Sequence, residues 1–329
     1  MMGSVLALCG GVGGAKLALG LLRALGPDEL TVIVNTGDDF DHLGFRISPD
    51  IDTVLYTLAG VADEERGWGR ADETWNFMSS LRQLGGETWF QLGDRDLAMH
   101  VERTKYLRGG GILTDFVGQA ARHLGIAAQI LPMTDEEVRT IVETDHGALE
   151  FQHYFVEHRC RPQVRSLWFA GASRTRVSAA VSRAIFDASR AIVICPSNPY
   201  LSIDPILSIP GVQASLKEAI APVIAVSPIV GGQAVKGPTA KIMRELGIEV
   251  SNVSIAAHYH GLIDGLIIDA VDANQVREIA VPVHSTGTLM QSLEDRVRLA
   301  DEVLAFASAL AIPRLERVLS PGASVGVSA

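Results

Sequence analysis

With 329 residues, 47% of them hydrophobic and 20% charged, the chain is long enough to bury a sizeable α/β core. Its formal charge of −10 excludes a general nucleic-acid binder, which presents a basic surface, so an anionic ligand must be held by local features. Cys9, Cys160 and Cys195 fit no zinc spacing and suit a reducing compartment, and no apolar run approaches the ~18 residues of a membrane span. The expectation is a soluble cytoplasmic protein with neither nucleic-acid nor membrane partners.

The first stretch, Ser4 to Lys16, organises the rest. Val5 to Cys9 is an apolar run that reads as a buried strand. Gly10, Gly11, Gly13 and Gly14 follow, and then the leucine spacing of an amphipathic helix. A strand, a glycine turn and a helix start place unpaired N–H groups where an anion can approach the backbone, and Lys16 adds a full charge. The pattern satisfies neither nucleotide fingerprint. Ala15 stands where a Walker A loop has its last glycine, and Lys16 falls on the third glycine of G-x-G-x-x-G.

Leu30 to Val34 is a second short strand, and Asn35-Thr-Gly-Asp-Asp39 follows it. Small and acidic residues directly after a strand occupy the ligand-binding edge of an open α/β sheet. Asp41 and then Asp50 and Asp52, at the start of a helix through Leu58, extend the acidic set. Carboxylates beside a phosphate seat point to Mg²⁺, which takes oxygen ligands and phosphates together. Each aspartate taken alone also suits a turn or a helix start.

Arg66 to Trp75 reads as a loop, with Trp68 and Trp75 either in the core or walling a planar ligand. Two helices and an amphipathic segment, Leu113 to Leu124, come next. From Ile130 the texture changes to short strands around Asp145-His146-Gly147, a hairpin signal. Val164 to Phe169 reads as a return to the core. The apolar strands 191–195 and 222–226 each end in a Ser/Pro loop, Pro196-Ser-Asn-Pro199 and Ser227-Pro-Ile229. A last strand at 262–268 and a long helix over 288–310 close the pattern.

The fold expected is α/β, a Rossmann-like, doubly wound, mostly parallel sheet with helices on both faces. The core spans 1–133 and 161–312, a small α+β insertion over 134–160 is placed as a lid, and 313–329 form a flexible tail. There is no G-x-S-x-G, no H-E-x-x-H and no cysteine site. The residues by themselves therefore indicate metal-assisted phosphoryl or nucleotidyl transfer, chemistry carried by positioning and charge neutralisation.

Six motifs in this order, Gly10-Gly-Val-Gly-Gly-Ala-Lys16, Asn35-Thr-Gly-Asp-Asp39, Ser48-Pro-Asp-Ile-Asp-Thr53, Leu92-Gly-Asp-Arg-Asp96, Pro196-Ser-Asn-Pro199 and Ser227-Pro-Ile229, resemble the 2-phospho-L-lactate transferase family of coenzyme F420 biosynthesis. The resemblance runs from about residue 4 to about residue 310. It implies Mg²⁺-dependent transfer of a 2-phospholactyl or phosphoenolpyruvyl group from a guanosine diphosphate ester to the ribityl hydroxyl of the deazaflavin Fo. GMP is released, F420-0 or dehydro-F420-0 forms, and the expected assembly is a homodimer. On this resemblance Asp38, Asp39 and Asp52 are the catalytic and metal candidates, and Asp52 and Gln91 face Fo. Gly10, Gly11, Gly13, Gly14, Lys16, Ser197, Asn198 and Ser227 serve the nucleotide and its phosphates. The family often has a basic residue where Gln91 stands. Two other readings are a nucleotide-sugar-binding regulatory protein of related fold and an NAD(P) dehydrogenase. The second is weakened because Asn35, not an acidic residue, ends the second strand.

Overall fold

The apolar runs pair into one seven-stranded parallel sheet in the computed structural model, which describes residues 4–319. In chain order the strands are β1 (Ser4–Cys9), β2 (Leu30–Val34), β3 (Gln129–Pro132), β4 (Ala188–Ile194), β5 (Val223–Val226), β6 (Gly265–Asp269) and β7 (Val283–Thr286). Their order across the sheet is β7-β6-β5-β4-β1-β2-β3, every pair parallel. The winding direction reverses between β1 and β4, so a crevice opens beyond their carboxyl ends. This is the doubly wound α/β sheet expected from the sequence.

Both faces are covered, and the two-residue period of β1 shows why. Leu6 and Leu8 join one apolar cluster with the helices Ala179–Asp187, Val212–Glu218, Thr239–Glu245 and Asn252–His258. Val5, Ala7 and Cys9 join the other. That face is packed by α1 (Gly11–Ala24), α2 (Pro49–Leu58), the helix Leu113–His123 and the C-terminal helix Leu293–Leu319. A strand buried on both faces needs apolar residues throughout, which is how these runs read. β7 was not legible for the opposite reason: Val-His-Ser-Thr is a half-exposed edge strand. Among the described residues no helix is long and apolar enough to cross a membrane.

Two boundaries differ from expectation. The insertion does not end at 160: Val164–Ala170 pairs antiparallel with Arg139–Thr144, which also pairs with Gly147–Glu150. Arg165 and Ser166 are exposed, as an outer strand allows and a core strand does not. The small sheet therefore closes on its own strand before the chain re-enters the core.

The second difference is at the carboxyl end, where the expected tail over 313–329 is helical as far as Leu319, while 320–329 lie outside the described residues. The helix continues through Pro313, a residue that removes a backbone donor. Arg314 compensates. It is 4% exposed and donates to the carbonyls of Leu216, Lys217 and Ala219 at 2.7–3.0 Å, where the helix Val212–Glu218 ends with unpaired acceptors. It also meets buried Asp264 at 3.3 Å. Arg314→Ala should lower stability by about 3 kcal/mol, because it strands the carbonyls of Leu216, Lys217 and Ala219, while Asp264 keeps Arg317 and the Val223 N–H. A chemical-denaturation midpoint within error of the parent would show that the C-terminal turns carry no load.

Candidate active site

The loops after β1, β2 and β4 converge at the crevice. Ser197 joins two of them: its Oγ accepts from the Gly10 N–H at 3.2 Å and donates to the Gly10 carbonyl at 2.8 Å. A Cβ on Gly14 would lie 2.4 Å from Ser197 Oγ, and one on Gly13 would lie 2.5 Å from the Pro196 carbonyl. The second pair of glycines is thus required by the close seating of α1 on the Pro196–Asn198 loop. Their freedom serves protein packing, not the approach of a ligand. Gly11 differs. It adopts φ +64°, which favours glycine, and its N–H donates to Asp50 Oδ1 at 2.7 Å. An aspartate from α2 therefore occupies the start of α1, where the sequence suggested an anion.

That aspartate belongs to a buried pair. The Asn35 amide donates to Asp38 Oδ1 at 2.9 Å and to Asp50 Oδ2 at 3.0 Å, so these oxygens are within about 6 Å of each other. Gln152, from the insertion, donates to Asp38 Oδ2 at 3.2 Å. Burial pushes Asp38 well above the usual carboxylate range, and the neighbouring charges of Asp50 and Asp39 add to the shift. Burial raises Asp50 to about 6 against the hydrogen bonds from Asn35 and Gly11. If both were ionised, their repulsion would be about 3 kcal/mol at an effective dielectric of about 20. Desolvation adds several kcal/mol per ion, more than two amide hydrogen bonds of roughly 1.5–3 kcal/mol each offset.

Asp39 faces another environment. Ser48 Oγ donates to its Oδ2 at 2.7 Å, Arg46 Nε stands 3.8 Å away, and its buried Oδ1 has no partner. Burial raises it to about 7 despite Arg46 and Ser48. It lines a cavity of about 340 Å³ with Thr36, Arg46, Leu107, Arg108 and Leu113.

Asp52 is separated from the pair by helix geometry. Residues two apart on α2 point away from each other, so Asp50 faces α1 and Asp52 faces α3 (Asp94–Arg108). There it is bound by the fully buried Arg103, with His100 Nδ1 at 3.7 Å. His100 Nε2 lies 3.4 Å from Asp96, which accepts from Tyr56 at 2.6 Å. Asp52, Asp96 and His100 each offer a ligand atom within 4.8 Å of the others, the one such group among the described residues. Arg103 already neutralises Asp52, however, so these residues form an ion-pair network, not a cation site. The expected set Asp38, Asp39 and Asp52 does not converge on one point. Asp50, not Asp52, is bridged to Asp38 by Asn35.

The remaining candidates are mostly engaged with backbone. Asn198 Oδ1 accepts from the N–H groups of Tyr200 and Leu201, and Ser227 Oγ accepts from the N–H of Ile229. Gln91 donates to the Thr88 carbonyl. Lys16 donates to the Met290 carbonyl and lines a second groove. Trp75 packs against the small apolar cluster of Phe40, Ile47, Met78 and Leu92, whereas Trp68 is 44% exposed; the two rings stack edge to face at 6.0 Å with Arg66 over both. The sequence reading missed Asn35, Gln152 and Arg103. Only the position of Asn35, directly after β2, gave a signal.

Comparison with known proteins places the chain in a family. A profile of the 2-phospho-L-lactate transferase CofD family matches residues 5–300. The 2-phospho-L-lactate transferase of Methanosarcina mazei is 40% identical over 298 residues, 90% of this chain and 97% of that protein. The phosphoenolpyruvate transferase of Kitasatospora aureofaciens is 38% identical over 313 residues, 92% of this chain and 97% of its own. A solved structure from Bacillus halodurans, of the UPF0052 family, superposes with a TM-score of 0.61 over 92% of this chain and 99% of that chain. At 15% identity it speaks for the fold alone. With a profile match over nearly all of the described core and relatives aligned along almost their whole length, this chain is a transferase acting on phosphate-bearing substrates and belongs to the 2-phospho-L-lactate transferase CofD family.

Proposed function

We propose that the chain transfers a 2-phospholactyl or phosphoenolpyruvyl group from a guanosine diphosphate ester to the terminal ribityl hydroxyl of Fo, in coenzyme F420 biosynthesis. The observation that carries this reading is the buried Asp38–Asp50 pair, bridged by Asn35 at the amino end of α1. The hydroxyl oxygen forms a bond to the phosphorus that bears the acid. The bond from that phosphorus to the bridging diphosphate oxygen breaks, and GMP leaves. The hydroxyl proton passes to Asp39, a carboxylate with an unpartnered oxygen and a pKa of about 7, suited to a base at neutral pH. The 340 Å³ cavity receives the acceptor, with Leu107 and Leu113 as its apolar surface and Arg46 and Arg108 as its polar edge.

Mg²⁺ fits the residues present. Asp38 and Asp50 are two acidic groups with an excess of buried negative charge, and Mg²⁺ is commonly held by one or two carboxylates plus substrate phosphates. When bound, the ion neutralises the diphosphate and the charge that develops on the leaving oxygen. The residues do the rest. Gly11 holds Asp50 at the start of α1, Asn35 fixes the spacing of the pair, and Gln152 holds Asp38. Asp52, held by Arg103 within its ion-pair network, does not line the acceptor cavity.

The direct test is incubation with Fo, the guanosine donor and Mg²⁺, with mass spectrometry of the deazaflavin product; no mass of F420-0 or dehydro-F420-0 from either donor would reject the reading. Asp39→Asn should lower kcat at least a hundredfold and remove the rise in rate through about pH 7, because a base must be ionised to act. An unaltered pH profile would take Asp39 out of proton transfer.

A further expectation follows from burial. Asp39 and Asp50 hold their protons to about 7 and 6, against about 4 in the unfolded chain. Between those values the folded state binds more protons than the unfolded one, so metal-free stability should fall as pH rises. Mg²⁺ should restore it, with a larger thermal shift at about pH 8 than at about pH 5.5. Asp50→Asn should flatten both effects. Equal Mg²⁺ shifts at the two pH values would place the ion elsewhere.

A further inference from the structure

Lys16 carries a charge that the carboxylate site does not use. It lines a groove of about 130 Å³ between α1 and α2, together with Val12, Thr53, Trp68, Lys236 and Arg296. Two acidic residues, Asp63 and Glu64, also line it, and both are engaged: Arg66 holds Asp63 at 2.8 Å and Arg296 holds Glu64 at 2.7 Å. Among the described residues neither Lys16 nor Lys236 has a carboxylate within 4.0 Å. Arg296 is 5% exposed, and its buried Nε has no hydrogen-bond partner. Burial lowers the pKa of Lys16, and the charges of Arg296 and Lys236 lower it further. A folded chain does not gain from crowding cations around a half-buried lysine. The arrangement becomes favourable when an anion lies among them.

The position of the groove suggests which anion. It includes Val12, in the first turn of α1 and one residue beyond Gly11, and Thr53, in the second turn of α2. It therefore opens beside the proposed diphosphate seat. Its volume admits a carboxylate on a short carbon chain, or a phosphate, and is too small for a nucleoside. We propose that this groove binds a small oxyanion, and that the occupant during turnover is the carboxylate end of the transferred acid. The assignment of the occupant rests on the transferase reading above; the oxyanion site itself does not. Lys16 and Arg296 form the inner wall, exposed Lys236 closes the outer side, and Trp68 flanks it.

The test uses the full-length chain. Tryptophan emission is titrated with inorganic phosphate, lactate and phosphoenolpyruvate, and compared with Trp68→Phe. Separately, KM for the acid-bearing guanosine donor and Ki for GDP are measured in Lys236→Gln. Lys236 is exposed, so this variant should fold, and an unchanged melting midpoint verifies it. The proposal expects a saturable signal that Trp68→Phe loses, about tenfold weaker oxyanion binding in Lys236→Gln, and a KM raised about tenfold with Ki for GDP unchanged. If Lys236→Gln weakens phosphate binding but leaves KM unchanged, the oxyanion site stands and its assignment to the acid is overturned. If no oxyanion gives a Trp68-dependent signal and neither constant moves, the site is overturned altogether. Because the emission titration needs no turnover, failure of the transferase reading would be seen separately.

Discussion

One amide holds the site together. Asn35 donates to two buried carboxylates, Asp38 and Asp50, while Asp50 accepts the N–H of Gly11 at the start of α1. The four residues belong to the loops or helices that follow β1 and β2, so the bridge ties the sheet edge to two helix starts at once. A helix amino end and a carboxylate attract each other, which stabilises the loop before any ligand arrives. The same contact means that a diphosphate meets a carboxylate where it would otherwise meet bare N–H groups. An anionic substrate and this structure become compatible once a cation lies between them. The need for charge neutralisation is therefore written into the resting geometry.

The two aspartates of Ser48-Pro-Asp-Ile-Asp-Thr53 show how differently neighbouring carboxylates can be compensated. Asp52 is paired with the guanidinium of fully buried Arg103, in a network that extends to His100, Asp96 and Tyr56. Removing one partner from such a network leaves an uncompensated buried charge, which costs far more than the intact pair contributes. Asp50 has only neutral donors, two amide groups. One carboxylate is thus settled by the protein and the other is left open to a proton or a cation. Helix geometry, two residues and about half a turn, separates the two roles.

The sheet was legible because its strands are buried on both faces, and uninterrupted apolar runs such as Leu6–Leu8 and Ile192–Ile194 have no other soluble use. The positions of the ligand-facing loops followed from the sheet. What the sequence could not express was partnership across long separations. The difference between Asp50 and Asp52 depends on Arg103, about fifty positions away, and the clamp on Asp38 comes from Gln152, in the helical turn that follows the strand Gly147–Glu150. Glycines misled in a similar way. Gly13 and Gly14 match a phosphate loop in pattern, yet the atoms nearest to a Cβ at either position belong to the protein. Lys16 follows the glycines closely in sequence, but i to i+5 along α1 carries it round from Gly11 to the groove beside α2.

The insertion is better understood as a wall than as a moving lid. Thr140 donates its N–H to the Gly37 carbonyl at 2.5 Å, Arg139 donates to the Asp39 carbonyl, and Gln152 reaches Asp38. Three contacts therefore tie the insertion to the loop that presents Asp38 and Asp39. Opening it would break hydrogen bonds to Asp38 and free the backbone on either side of Asp39. Each of those groups is buried, so each loss would carry a desolvation penalty of about 1–3 kcal/mol. A small sheet attached in this way keeps water from the Asp38–Asp39 loop and fixes its backbone, and substrate access is left to the cavity between Asp39, Arg46 and Arg108. The element that looked separable in sequence is, by its hydrogen bonds, part of the site.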